Sequence, residues 1–399
     1  MKSWNRPEVA RLTGRGPLPR IRDTATGTLI ETLPTTVASI YVCGITPYDA
    51  THIGHAATYL AYDTLIRVWL DAGCAVKYVQ NATDVDDPLL ERAAATGVDW
   101  RDLAASQLDL FRSDMEALGV IPPDHYVAVT EMIEPVAESV QQLLDDGVAY
   151  RLDEDVYFDS AAAAAASPWH LGQESGLDRA TMLELSAVRG GDPDRVGKRD
   201  ALDPLLWRGA RPGEPAWASV LGQGRPGWHI ECSVIARQFL DLPLTVNGGG
   251  IDLAFPHHEF TAGHSAALAG VDHAQIFSHA ALVYYRGEKM SKSRGNLVFV
   301  SKLLESGVDP RAIRLAILAQ HYRSGWEWTT AVLATAVDRL ARWSVWAATP
   351  GAGTGLVASL RLVLADDLDT PAALALVDAA GAPSAEEFYA VSALLGIRL

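Results

Sequence analysis

Residues 37–81 read VASIYVCGITPYDATHIGHAATYLAYDTLIRVWLDAGCAVKYVQN. Val37 to Ile45 is rich in β-forming residues and carries Cys43-Gly44 near its end. From about His55 to Leu70 the apolar residues, Leu60, Leu65 and Trp69 among them, fall on one helix face. Gly73 is a helix stop, and Val76 to Asn81 reads as a second strand. Strand, helix and strand at this spacing predict a parallel βαβ unit.

The rest of the chain extends that unit. Its 399 residues allow two or three domains. Hydrophobic residues at 49% and charged residues at 21% exclude a disordered, collagen-like or coiled-coil chain. A net charge of −16 argues against a long basic nucleic-acid surface but leaves room for a small basic site. Three cysteines cannot build a disulfide framework and point to a reducing compartment. No apolar run is long enough to span a membrane, and MKSWNRPEVARLTGRGPLPR has no apolar signal-peptide core. The expectation is a cytoplasmic, soluble enzyme, working as a monomer without membrane or nucleic-acid partners.

The first 36 residues read as an irregular arm. Helices are expected near 88–97, 100–118 and 130–146, with a strand pair near Ala149 to Phe158. The alanine run 161–166 reads as surface structure, and 167–227, with RGGDP and ARPGEP, as a loop-rich insertion. Strand-and-helix patterning returns at Trp228 to Leu240, Leu244 to Asn247 and Pro256 to Ala269. Helices follow near 310–321, 329–347, 355–366 and 371–379. Scattered tryptophans, with Trp343 and Trp346 at helical spacing, read as packing. The layout is a split α/β domain over 37–125 and 228–300, an insertion over 126–227 and a helical domain over 301–399.

Two strings carry phosphate chemistry. His52-Ile53-Gly54-His55 lies between a strand and a helix, where backbone N–H groups and the helix dipole favour an anion. Gly54 lets a ligand approach closely. Lys289-Met290-Ser291-Lys292-Ser293 suits a loop that closes on phosphates. Read singly, the strings are surface histidines and a solvated loop. A third constellation is Cys43, Cys232 and His257, each flanking a segment that reads as a strand end of one sheet. Two thiolates and an imidazole suit Zn²⁺ and leave a coordination position open, for which a thiol substrate is the natural ligand. Cys74 lies outside any motif and reads as structural.

HIGH followed by KMSKS resembles the paired signature of class I aminoacyl-tRNA synthetases. CGIT, YDATHIGHA, NATDVDD, GRPGWHIECS, DLAFPHHE and KMSKSRGN are similar to cysteinyl-tRNA synthetases over about 37–330, with an echo in DDLDTPAALA. The resemblance implies a Rossmann-like class I catalytic domain with a connective insertion and a C-terminal helical domain. It implies that His52 and His55 stabilise the α-phosphate of Mg·ATP, while Lys292, supported by Lys289, neutralises departing pyrophosphate. It implies Cys43, Cys232 and His257 as zinc ligands that select cysteine through its thiolate. It places a cysteinyl-adenylate along Cys43-Gly44-Ile45-Thr46, Thr58, Asn81-Ala82-Thr83, Trp228, Gly250-Ile251-Asp252 and Val283. Thr46 and Thr83 offer short hydroxyls, Asp252 an acceptor for ribose, and Val283 backbone groups for adenine. Thr58 also reads as helix surface, and Val283 and Trp228 as core.

The departures matter. Thr261 stands where cysteinyl-tRNA synthetases have a fourth ligand, Glu, and Ala57 where they usually have Arg. Little sequence follows DDLDTPAALA to form an anticodon-binding domain. MKSW, CGITPYDATHIGHAATYLAYD, QNATDVDDPL, RGGDPDR and FPHHEF instead resemble the paralogous cysteine ligases of mycothiol biosynthesis, with Val188 where that family usually has Glu. Those ligases join L-cysteine, activated by ATP, to the amine of a glucosaminyl-inositol. A truncated cysteinyl-tRNA synthetase and a silent zinc-binding paralogue remain the alternatives. No general base for the amine stands out, since ribose binding would occupy Asp252.

Overall fold

The computed structural model describes residues 1–34, 37–290 and 295–399. In chain order, β1 (Arg20–Arg22), β2 (Leu29–Glu31) and β3 (Val37–Val42) precede α1 (Ile53–Ala72) and β4 (Ala75–Ala82). Then come α2 (Asp87–Thr96), α3 (Trp100–Ala117), β5 (His125–Ala128) and α4 (Ile133–Asp145). The next stretch holds β6 (Ala149–Leu152), β7 (Asp155–Phe158), α5 (Ser160–Ala166), α6 (Arg179–Val188), β8 (Leu205–Gly209) and β9 (Gly224–Pro226). It is followed by α7 (Trp228–Phe239), β10 (Val246–Gly250), α8 (Glu259–Ala269), β11 (Phe277–Ala280), β12 (Val283–Tyr285) and β13 (Glu288–Lys289). The chain closes with α9 (Val300–Glu305), α10 (Pro310–Leu318), β14 (Trp326–Glu327), α11 (Thr330–Ala348), α12 (Leu356–Ala365), α13 (Thr370–Ala380) and α14 (Ala385–Leu395).

The expected βαβ unit forms the middle of a five-stranded parallel sheet, ordered β11-β10-β3-β4-β5. His52 caps α1, and Gly73 ends it in the left-handed conformation at φ 86°. Side chains alternate across β3, so Ala38, Ile40 and Val42 join one core while Tyr41 joins another. The first core gathers α1, α10 and the C-terminal helices; the second gathers α4, α7, α8 and the antiparallel sheet β6-β7-β8-β9. The chain leaves β3 in one direction, toward β4 and β5, while β10 and β11 lie on its other side. The carboxyl ends of β3 and β10 therefore flank a switch point, where open α/β sheets form their ligand crevice.

Some expectations need correcting. The N-terminal stretch is ordered: β1 and β2 form an antiparallel hairpin, Thr24 N–H bonds to the Phe277 carbonyl at 2.7 Å, and Trp4 is buried. The alanine run is a short helix with Ala163 fully buried. The 167–227 stretch contributes a helix and two strands, and α14 lies beyond the last expected helix. Trp343 is buried as packing, its indole N–H donating to Asp378 at 2.8 Å. No helix among the described residues is long and apolar enough to cross a membrane.

A buried charge cluster joins α1 to the C-terminal helices. Asp63 Oδ2 accepts from Arg67 Nε at 2.8 Å and from the Arg314 guanidinium, and its Oδ1 accepts from Ile121 N–H at 2.8 Å. Arg67 also donates to the carbonyls of Gly119 and Ala393, and Arg314 to those of Leu118 and Leu395. Burial pushes the Asp63 carboxyl up, but the two guanidiniums outweigh it and hold it below its ordinary value. Asp63→Ala strands two buried cations and should cost about 3–5 kcal/mol in urea unfolding at neutral pH. Because the folded value is depressed, this contribution is present above the unfolded value of about 3.9 and is lost as pH falls through the folded one. A change below about 0.5 kcal/mol would contradict this role.

Candidate active site and metal centre

A cleft of about 330 Å³ opens at the carboxyl ends of β3, β4 and β10. Cys43, Gly44, Ile45 and Thr46, in the loop after β3, line it, as do Asn81 and Thr83 at the end of β4. His52, His55 and Thr58 enter from α1, Trp228 from α7, Gly250 and Asp252 from the end of β10, and Val283 and Lys289 from the opposite wall. Ala82, the last residue of β4, is buried, and Ile251 faces out, 40% exposed. Lys292 lies outside the described residues. Tyr48, Asp49 and Tyr59 also line the cleft; no motif reading singled them out, although YDATHIGHA contains the first two.

Close backbone packing shapes the floor. Gly44 N–H donates to Asn81 Oδ1 at 2.8 Å, and a Cβ on Gly44 would fall 1.6 Å from the Asn81 carbonyl oxygen. Glycine is therefore required there. Asn81 Nδ2 in turn donates to Thr83 Oγ1 at 3.1 Å, which fixes the amide beside the Thr83 hydroxyl.

At the start of α1, His52 Nδ1 accepts from Gly54 N–H at 3.1 Å and from His55 N–H at 3.4 Å. The two imidazoles stack with centroids 3.8 Å apart. Burial, then His55 and Lys289, lower His52 well below its ordinary value, and burial takes His55 down to about 4. Both rings are neutral at neutral pH. Since His52 Nδ1 accepts, its proton sits on Nε2, which makes that atom a hydrogen-bond donor. Lys289 Nζ meets Asp252 Oδ2 at 3.0 Å. Burial raises Asp252, but the Lys289 charge and hydrogen bond outweigh it and keep it ionised below its ordinary value. The pair is half exposed, so it is weak and can yield to a phosphate.

The thiols converge across the floor. Cys43 Sγ lies 3.8 Å from Cys232 Sγ, and Cys232 Sγ lies 3.1 Å from His257 Nε2. These donor atoms all fall within 4.8 Å of one another, and all three residues are buried. A tetrahedral Zn²⁺ with Zn–S near 2.3 Å requires sulfurs about 3.8 Å apart, so the spacing fits a metal ion. The placement differs from the expected strand ends. Cys43 does follow β3, but Cys232 sits in the second turn of α7, and His257 in an irregular turn between β10 and α8. Burial and the neighbouring Cys232 push the Cys43 thiol up, while contacts to Cys43 and His257 overcome burial and pull Cys232 down. Of the two, Cys232 is the readier to lose its proton.

The surroundings hold these ligands. His257 stacks on Trp228 with centroids 4.5 Å apart, and its Nδ1 lies 3.2 Å from His229 Nδ1. His258 Nε2 lies 3.2 Å from Cys43 Sγ, and its Nδ1 lies 2.7 Å from His279 Nε2. Neither His229 nor His279 was legible as part of the site. The Thr261 hydroxyl donates to the His229 carbonyl at 3.2 Å. The Glu259 carboxylate is held by Trp169, Gly172 and Ser175. Neither of these oxygen-bearing side chains joins the triad, and among the described residues the donor group consists of Cys43, Cys232 and His257.

The sequence matches the family described as tRNA synthetases class I (C) catalytic domain over residues 29–338. It is 59% identical to the L-cysteine:1D-myo-inositol 2-amino-2-deoxy-alpha-D-glucopyranoside ligase of Clavibacter michiganensis subsp. michiganensis, covering 100% of this chain and 99% of that one. The ligase of the same name from Clavibacter sepedonicus is 62% identical over 90% of this chain and 94% of its own. That of Paenarthrobacter aurescens is 53% identical over 100% of both. Among solved structures, Mycobacterium tuberculosis methionyl-tRNA synthetase in complex with methionyl-adenylate superposes with a TM-score of 0.60 at 18% identity, over 86% of this chain and 81% of that one. A putative arginyl tRNA synthetase from Campylobacter jejuni gives 0.54 at 13% identity, over 91% and 90%. These structural likenesses establish the fold.

Removing one soft ligand should release the metal without unfolding the chain. Cys232→Ala, purified beside the wild type, is expected to retain under about a tenth of the wild-type metal by elemental analysis. Full metal occupancy in that variant would refute the triad.

Proposed function

We propose a function from the following premise: this chain belongs to the class I (C) tRNA synthetase catalytic-domain family and, within it, to the L-cysteine:1D-myo-inositol 2-amino-2-deoxy-alpha-D-glucopyranoside ligases. It is an ATP-dependent ligase that joins L-cysteine, through cysteinyl-adenylate, to the amine of glucosaminyl-inositol, with release of AMP and pyrophosphate. The observation that carries the reading is the match to those ligases along the whole chain.

The reaction has two half-reactions. A carboxylate oxygen of cysteine attacks the α-phosphorus of ATP, and the bond to pyrophosphate breaks. His52 and His55, neutral and at the positive end of α1, donate to the α-phosphate oxygens as charge builds on them. Lys292 is the main contact for the departing pyrophosphate, supported by Lys289, which exchanges Asp252 for it, and Mg²⁺ accompanies the nucleotide. Asp252 is then available to the ribose, with Val283 near the adenine and Thr46 and Thr83 near the amino acid. A Zn²⁺ held by Cys43, Cys232 and His257 would supply a soft position that a thiolate fills and a serine hydroxyl does not. In the second half-reaction the amino-sugar nitrogen attacks the acyl carbon, forming an amide, and AMP leaves.

A cysteinyl-tRNA synthetase would share the first half-reaction. Thr261 and Ala57 argue against it, since both depart from that family while the ligases match throughout. A silent paralogue is disfavoured by the shared cleft of histidines, lysine and triad. The deciding assay supplies the chain with cysteine and ATP, adds either glucosaminyl-inositol or tRNA, and measures AMP. AMP should appear with the amino-sugar and change little with tRNA. Charging of tRNA without turnover of the amino-sugar would reverse the reading.

A further inference from the structure

The RGGDP stretch follows α6, and its first residue reaches the connection that carries cleft residues Asp252 and His257. Arg189 Nη1 donates to the carbonyl oxygen of Asp252 at 2.6 Å and to that of Phe255. Both carbonyls belong to the connection between β10 and α8. This segment has no regular ladder of its own: a 3₁₀ turn at Ile251–Leu253 runs into a wider turn at Ala254–His258, and Phe255 within it is extended. Carbonyls freed by such irregularity need an outside donor. The segment carries Asp252 at one end and His257 at the other, and both line the cleft.

The other end of the stretch is anchored. Asp192 accepts from the Tyr157 hydroxyl and from Lys198 Nζ, the latter at 2.9 Å. Arg195 pairs with Asp155 at 2.5 Å. Tyr157 and Asp155 belong to β7, so the stretch is a strut between the insertion sheet and the connection after β10. We infer that Arg189 is a positioning residue that sets the span between the nucleotide end of the cleft at Asp252 and the thiol end at His257. The inference rests on the function proposed above, because only a ligand joined across both ends is sensitive to that span. Cysteine alone or ATP alone can shift to follow its own half of the site. Cysteinyl-adenylate, with both halves linked, cannot follow both at once, so a changed span weakens it selectively.

The test measures three dissociation constants by calorimetry on the full chain: for L-cysteine, for ATP, and for a non-hydrolysable sulfamoyl analogue of cysteinyl-adenylate. In Arg189→Ala the analogue should weaken at least about tenfold while each single ligand changes less than about threefold. Arg189→Lys, which keeps a charged donor but loses the planar, fixed guanidinium, should show a smaller selective loss, and it carries the test if the alanine variant fails to fold. A common loss across all three ligands marks a merely structural role and would overturn the inference, as would an unchanged analogue. Wild-type protein that does not bind the analogue at all would overturn the functional reading itself, and this inference with it.

Discussion

Asp63 lies midway along α1 with both carboxylate oxygens engaged, one by two guanidiniums and the other by the Ile121 N–H. Arg67 and Arg314 spend their remaining donors on carbonyls at 118–119 and 393–395, so one buried carboxylate organises three chain segments around a single helix. That helix starts with His52 and His55. A shift of α1 along its axis would carry both imidazoles away from the switch point between β3 and β10. The charge cluster lies about two turns of α1 beyond the His55 end, yet it fixes where the histidine end of the cleft lies. Such a cluster is costly to desolvate, and its value is geometric.

The second constraint is the close contact of backbones at the strand ends. Gly44 against Asn81 leaves no space for a side chain and brings the loop carrying Cys43 onto the end of β4. The thiols and the histidines then share one cleft, with neutral imidazoles at one end and, at the other, a thiol pair in which Cys232 is pulled down and Cys43 pushed up. Nothing in this arrangement needs a large basic surface, which is consistent with a small acceptor and an acidic chain.

Much of the site was legible in the sequence because its strings are local. HIGH opens a helix whose apolar face and terminal Gly73 are both readable, and α1 runs as that pattern predicts. Convergence of the triad was not readable from periodicity, because Cys43 and Cys232 are 189 residues apart. Their donor chemistry and expected strand-end placement grouped them, and the family resemblance then gave them as ligands. Cys232 was misplaced on a strand end although Ile230, Val234 and Ile235 have helical spacing. The hairpin of β1 and β2 escaped notice because three-residue strands carry no alternation and gain their order by docking beside β11. For α14 a signal was present: Ser384 and Glu387 form a capping box ahead of an apolar run that ends at Gly396. Arg189 could not have been found this way, since its partners are backbone carbonyls distant in sequence.

The central claim is that the buried Cys43, Cys232 and His257 set reads the thiol of the amino acid before it is activated. Serine differs from cysteine only in that atom, so the comparison isolates it. The direct measurement is ATP–pyrophosphate exchange on one preparation with L-cysteine or L-serine as the amino acid. The account predicts exchange with cysteine that exceeds exchange with serine by about 10⁴-fold or more in kcat/KM. Comparable exchange with the two amino acids would contradict it.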